Sequence, residues 1–475
     1  MTDIIGRLTF LLLIGLLAGH TRANDTPDSD HRTTPQPTPT WTMSRADAGA
    51  SGAVSHTLPR SLDILWETQI AEAVETTPVS DGVRVYVTDV MGGVEALDAE
   101  TGKSVWRREF DTGFVAAPGL YLPASVVDDP NISTPRIPII VVGTNEAIKD
   151  KDSQATSNPT TNKDANFKQP LLVVGDVEGN VEAMNPETGE SLWKFVTNGE
   201  INAAPSFFAV PRIEQTPPKP TDRSSDSSDI DSSNTASSDN TSSHPNNYEI
   251  RLLQTSQDGN LYCLAAHTGE LIWKYETNDQ IRCAASIGSG KTFLGGCDSA
   301  LHIVDLATGT AAREAMPLGG PTGSTPAVTG EEVFLPIMDG VVFAFNSTSG
   351  EIRWEFEDPE RLQEYRSSPA IGPDRIIVGS NNKHIDALDR NTGKRLWRTT
   401  LRRRADASPL IAGTDVWVAS SDGTLLRLSL DDGTEKWSFE SRGKFLAAPA
   451  ILGDRLIIAD DDGRIRCFAT NGTDP

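Results

Sequence analysis

One short phrase recurs through this chain and constrains its fold more than any other feature. A Thr-Gly or equivalent pair is followed, four residues after the glycine, by tryptophan: Gly102…Trp106, Gly189…Trp193, Gly269…Trp273, Gly350…Trp354, Gly393…Trp397 and Gly433…Trp437. Thr308-Gly309 opens the same phrase with Arg313 in the tryptophan position, and Asn471-Gly472 begins one more as the sequence ends. From Gly269 the glycines step by 40, 41, 43, 40 and 39 residues, and the two earlier steps of 87 and 80 each hold about 40 residues more. Self-similarity at such a period marks a repeat architecture.

Three further elements recur in phase. An alternating apolar run precedes each Thr-Gly pair, as in Val94-Ala96-Leu97, Leu261-Cys263-Leu264 and Ile385-Ala387-Leu388. A turn such as Asp258-Gly259, Asp339-Gly340, Asp422-Gly423 or Asp462-Gly463 comes before most of these runs. Asp-Gly accommodates the positive φ that a tight hairpin requires. Upstream lies a β-branched run (Val83-Tyr86-Val87, Ile376-Val378, Leu456-Ile458), and before that a small-residue pair ending at proline. The pairs are Thr76-Thr77, Ala116-Ala117, Ala203-Ala204, Ser324-Thr325, Ser367-Ser368, Ala407-Ser408 and Ala447-Ala448; Ala284-Ala285 stands in the fourth repeat without the proline. Each repeat therefore predicts four short strands and no helix. Four-stranded units of this length arranged around an axis make an all-β propeller of antiparallel blades. Small residues suit the crowded innermost strand, and tryptophan suits the periphery, where a large ring covers the neighbouring blade.

Eight repeats predict eight blades. The last repeat has three strands, Phe445 to Phe468, but stops before its tryptophan strand. The first begins with an orphan tryptophan strand around Trp66, from Leu62 to Ile70. Joining the two completes the eighth blade from both ends of the chain and leaves no open edge. The propeller is thus expected over residues 61–472, with inserted segments at 122–170 and 211–248 that read as solvated loops. The first insert contains one strand-like run, Ile137 to Val142, with no assignable partner.

Residues 1–23 read as a signal peptide: Arg7 precedes a 12-residue apolar run, Leu8 to Gly19, and Ala23 ends a polar stretch. That run is shorter than the ~20 residues that cross a bilayer. Leu17-Ala18-Gly19 is followed by His20 rather than cysteine, so no lipid anchor is expected. Residues 24–60 are rich in Pro, Thr, Ser and Asp and read as a disordered linker. The mature chain is expected to be exported, periplasmic or equivalent, without stable membrane insertion, and monomeric. Its formal charge of −24 argues against nucleic acid, which needs clustered Lys and Arg. Four cysteines form no C-x-x-C pair, which removes zinc-ribbon, thioredoxin and c-type haem readings. Cys263 and Cys467 fall where other repeats carry alanine, whereas Cys283 and Cys297 flank one hairpin, and an oxidising compartment permits them to pair.

The Thr-Gly-x-x-x-Trp turn, the strand before it and the Ala/Ser-Pro inner strand together resemble the PQQ-like, quinoprotein-type β-propeller family over about residues 62 to 472. Seven of the nine tryptophans occupy the family's tryptophan position. Resemblance to its BamB-like scaffold branch implies a non-catalytic protein that binds other envelope proteins, possessing no cofactor, in outer-membrane assembly or envelope biogenesis. Resemblance to its dehydrogenase branch implies the alternative, oxidation of alcohols or sugars with pyrroloquinoline quinone and calcium. The vicinal cysteine pair and long insertions of many quinoprotein dehydrogenases are missing, which favours the scaffold.

Candidate site residues follow from the repeat. The residue before each small pair should ring one mouth of the channel: Glu75, Val115, Asn202, Arg282, Gly323, Arg366, Asp406 and Leu446. Arg402, Arg403 and Arg404 add positive charge beside Asp406. Under the dehydrogenase alternative, Glu75, Asn202 and Asp406 would offer oxygens to calcium. Arg282 and Arg366 would grip the quinone carboxylates, and Asp406 would serve as base. Under the scaffold reading Glu75, Arg366 and Asp406 neutralise one another across a wet channel, no metal is bound and there is no catalytic residue.

Overall fold

Alternating apolar residues and Asp-Gly turns act locally to make hairpins, and the structure, a computed structural model, shows them stacked into eight blades. It describes residues 40–123, 137–139, 169–211, 248–359 and 363–470. Blade 1 is typical: Val79–Ser80, Arg84–Thr88, Gly93–Asp98 and Ser104–Glu109 pair antiparallel in chain order. Blades 2 to 7 repeat this order. In blade 8, Asp63–Gln69 pairs with Arg464–Ala469 on the outer edge of the three C-terminal strands. The closure expected from the matched surplus and deficit of strands is present.

Burial follows the position of each strand. The second and third strands are almost wholly buried, as in Leu171–Gly175 and Asp415–Ala419, because both of their faces meet neighbouring blades. The outermost strands are largely exposed apart from the large ring that points inward, as in Ser191–Val196.

The outer tryptophans join one blade to the next. Trp66, Trp106, Trp193, Trp273, Trp354 and Trp397 donate Nε1–H to the carbonyls of Ala99, Pro186, Ala266, Leu306, Arg390 and Leu430 at 2.9–3.3 Å. Each indole lies against the glycine of the next blade's Thr-Gly turn. At Gly433, with φ of 71°, an added Cβ would stand 2.5 Å from Trp397 Cε3. The recurring glycine is thus required twice over, by its left-handed backbone and by the ring pressed on it. Blade 4 departs from the pattern. Its outer strand is only Met316–Pro317, and Arg313 takes the tryptophan's place, donating to Ser349 O and lying against Gly350. Arg313→Trp restores the pattern of the other blades and is expected to raise stability by about 0.5–2 kcal/mol. A shift of the denaturation midpoint to higher denaturant checks it.

The N-terminal segment gives the principal correction. Residues 24–60 read as a disordered linker, yet residues 40–60 form a strap across the end of the channel where the innermost strands finish. Ser80 and Trp41 exchange backbone hydrogen bonds at 2.6 and 2.9 Å. The strap then accepts backbone hydrogen bonds from Leu120 in blade 2, Ile287 in blade 4, Val328 in blade 5, Ile371 in blade 6 and Ile411 in blade 7. Ala53–Val54 adds to blade 7 as a fifth, parallel strand. His56 Nε2 reaches Gly453 O in blade 8 at 2.7 Å. Blade 3 is reached from elsewhere: Ala209 N–H donates to Pro138 O at 2.9 Å, and Ile139 bridges Ala209 in parallel. This gives part of the strand-like run at 137–142 a partner and shows Ile137, 4% exposed, packed rather than solvated. The physical reason is that inner strands leave one edge facing the axis, and an open edge takes up extended backbone of almost any composition. Residues 1–39, which include the expected signal peptide and the rest of the expected linker, lie outside the described residues, as do most of both insertions.

Candidate functional site

Each first strand runs toward the strap, so its leading residues mark the opposite end of the channel. A strict alternation places them. Val74, Phe114, Ile201, Ile281, Thr322, Tyr365, Ala405 and Phe445 are buried between blades. The next residues in sequence are the eight expected mouth positions, and all are half-buried or exposed. Their common phase in the repeat was legible from the sequence; their partners were not.

Most of the polar candidates are engaged by their own loops or the adjacent turn. Arg366 Nε donates to Glu364 Oε1 at 2.5 Å, and Arg404 Nε donates to Asp406 Oδ2 at 2.7 Å. Hydrogen bonding from Arg366 holds the Glu364 carboxyl below the usual carboxylate range, against an opposing push from burial, with Asn381 and Arg404 adding to the effect. Blades 6 and 7 thus carry an alternating row, Arg366, Glu364, Arg404 and Asp406. Elsewhere, Gln257 Nε2 donates to Asn202 Oδ1 at 2.7 Å and to Glu200 Oε2 at 2.5 Å, and Arg282 Nη2 donates to Gln280 Oε1 at 3.0 Å. Glu75 is exposed on blade 1. The expectation that Glu75, Arg366 and Asp406 neutralise one another is therefore corrected. Arg366 and Asp406 are balanced by residues two positions away, because neighbours in the same loop reach them at lower conformational cost than groups across the channel.

These contacts also test the quinone and calcium alternative. Among the described residues no three Asp, Glu, His or Cys side chains gather where they could hold a metal ion. Arg366 is already bound to a carboxylate, and Glu75, Asn202 and Arg282 sit on blades 1, 3 and 4. The residues do not form a set that fits calcium with a tricarboxylate quinone.

Sequence reasoning missed the buried polar sites. Asp358 and Asp386, both fully buried as side chains, share Arg398 at 2.6 Å from each, and Gln363 Nε2 donates to Asp358 Oδ2 at 2.9 Å. Asp415, also buried, binds Arg427 and Lys436. Only the spacing of Asp386 and Arg398 on adjacent strands, residues directly opposite in the register, was available to reveal the first pair. The cysteines are free thiols. Cys263 and Cys467 are buried, as their alanine-like positions implied. Cys283 is not bonded to Cys297; its thiol donates to Gly295 O at 3.2 Å, and burial pushes its pKa up to about 12.

Comparison with known proteins agrees with this architecture. The family model described as outer membrane protein assembly factor BamB matches residues 50–141, 153–384 and 366–474. The outer membrane protein assembly factor BamB of Burkholderia pseudomallei is 24% identical over 360 residues, covering 72% of this chain and 69% of that protein. The crystal structure of BamB from Moraxella catarrhalis superposes with a TM-score of 0.58 at 14% identity, over 87% of this chain and 99% of that one. The quinohemoprotein alcohol dehydrogenase of Comamonas testosteroni superposes with a TM-score of 0.61 at 12% identity, over 94% and 83%. At such identities the structural likenesses speak for the fold alone.

Proposed function

Because the chain belongs to the family of the outer membrane protein assembly factor BamB, we propose that it is an exported, non-catalytic propeller that holds other envelope proteins together during outer-membrane assembly. The observation that carries this reading is the family match running through nearly the whole ring, from residue 50 to 474. The mouth supports it. Two of the groups that a quinone and calcium would require, Arg366 and Asp406, are held in local pairs, and such pairs leave a polar rim suited to protein contact. A closed ring of eight interlocked blades also suits a rigid platform, since binding surfaces on short loops between fixed strands lose little entropy on association. The reading includes cleavage of the signal, a periplasmic location and a monomeric chain.

Titration of the purified mature protein with pyrroloquinoline quinone, with and without calcium, tests the non-catalytic part. Quinone absorbance and tryptophan fluorescence are expected to show no saturable binding at concentrations well above micromolar. Tight binding that is lost in Asp406→Ala or Arg366→Ala, with dye reduction by alcohols or sugars, would replace the scaffold with a dehydrogenase. Cross-linking in intact cells tests the other part. Recovery of outer-membrane assembly proteins is expected, and their absence beside a well-expressed chain would count against it.

A further inference from the structure

The strap is bound as a sheet binds a peptide. Strap carbonyls of Thr42, Ala48, Gly49, Ser51 and Gly52 accept hydrogen bonds of 2.7–2.9 Å from the innermost strands of five blades, and Gly413 N–H donates to Val54 O at 3.0 Å. Recognition through backbone groups along an open strand edge is how sheets capture extended segments in general. Between the first two of these contacts the strap advances six positions, and blade 3 is skipped; thereafter an advance of one or two positions spans each step between blades. The path bends with Ala46, Ala50 and Gly52 at φ of 72°, 53° and 62°.

Two side chains fix the register. Trp41 is buried at 1% exposure beside Ser80. Arg45, 7% exposed, reaches between blades 6 and 7, where its guanidinium donates to Pro409 O at 2.9 Å, Pro369 O at 2.7 Å and Ser368 O at 3.4 Å. These carbonyls belong to the prolines and small residues of the inner strands, so the arginine reads a feature that the repeat itself provides. Small residues at Ala46, Gly49, Ala50 and Gly52 let the backbone approach closely: a Cβ on Gly49 would stand 2.4 Å from Val328 O.

From these contacts we infer that the end of the channel opposite the mouth is a binding site for an extended peptide, filled in cis by residues 41–54. The ligand class is an extended segment with an aromatic anchor, an arginine four residues later and small residues beyond. The site is independent of the assembly role proposed above.

The test uses the full mature chain carrying Gly49→Ala and Gly52→Ala. The first places an atom against Val328 O, and the second places one 2.1 Å from Arg45 Nη2 at a left-handed position. Hydrogen exchange read by mass spectrometry follows residues 41–54 and the blade strands separately. A fluorescein-labelled synthetic peptide of residues 40–58 is titrated by anisotropy. The expected result is fast exchange of 41–54 with the blades still protected, and saturable peptide binding roughly tenfold or more tighter than to the unaltered chain, whose site is filled. A peptide carrying Arg45→Ala should bind roughly tenfold more weakly, since hydrogen bonds from a charged donor are lost. Released strap residues without saturable peptide binding would overturn the inference, and so would peptide binding of equal strength to the unaltered chain. If the double variant does not fold, the chain bearing Arg45→Ala, which withdraws three hydrogen bonds and adds no atom, replaces it in the same measurements. Undiminished protection of 41–54 there, with no peptide bound, also overturns it.

Discussion

Trp397→Ala is expected to destabilise the propeller by about 3–5 kcal/mol, the usual range for removing a large buried aromatic side chain. The indole is 9% exposed and links blade 6 to blade 7. Its loss removes three things at once. The first is the hydrogen bond from Nε1 to Leu430 O at 2.9 Å. The second is the apolar surface that the ring covers with Leu401, Leu428 and Leu430 in one cluster. The third is the plate on which Gly433 rests, which leaves a void beside a turn whose backbone is held at positive φ. Chemical denaturation of the two proteins gives the difference. Trp397→Phe separates the contributions: keeping a ring but losing the donor, it should cost less, with about 1 kcal/mol assigned to the hydrogen bond. A change below about 1 kcal/mol in the alanine variant would mean that the blades are held together elsewhere, because a well-packed void of this size does not collapse without cost.

Asp415→Ala is expected to cost a similar amount, about 3–5 kcal/mol, for an electrostatic reason. Asp415 is fully buried and Arg427 nearly so. Arg427 donates to Asp415 Oδ2 at 2.5 and 2.8 Å and to the carbonyls of Pro59, Arg60 and Leu58 at 2.6–3.3 Å, so the pair also fastens the end of the strap to blade 7. Lys436 Nζ lies 2.7 Å from Asp415 Oδ1. Without the carboxylate, a guanidinium remains in a low-dielectric place with no counter-charge of its own. The pair as a whole is a different matter. Replacing both partners by apolar residues, as in Asp415→Leu with Arg427→Met, should recover much of the loss, because the desolvation cost of both ions disappears with them. Glu440→Gln provides the contrast. Its pair with Arg402 is exposed on both sides, so a far smaller effect than that of Asp415→Ala is expected from it. Denaturant midpoints for the four proteins check the set, and equal effects of Asp415→Ala and Glu440→Gln would refute the distinction by burial.

The fold was readable because the information is local and repeated. A turn, a small pair and a tryptophan each impose a conformation on a few residues, and eight copies remove the ambiguity of any single one. Trp66 and the truncated last repeat even revealed how the ring closes, since an unmatched strand at each end has one economical solution. The common phase of the candidate mouth positions was legible for the same reason. Whether Arg366 faces Asp406 or Glu364 was not, because both spacings are compatible with the repeat and only the loop's path chooses between them. Composition misled at residues 40–60. Pro, Ser and Asp flank that segment, and nothing in its own pattern resembles a strand. One signal was present, the isolated Trp41 ahead of a run of alanines and glycines.

Sequence alone determined the blade, the blade count, the closure and the joints between blades, all of which depend on neighbours in the chain or on the next repeat. Tertiary structure decided what happens on the axis. There the strap meets edges contributed by strands more than 300 residues away, as where Ile371 N–H donates to Ser51 O and Ile411 N–H to Gly52 O. Those hydrogen bonds are made by backbone, which every residue carries alike, so no choice of side chains along residues 41–54 could announce them before the ring had formed.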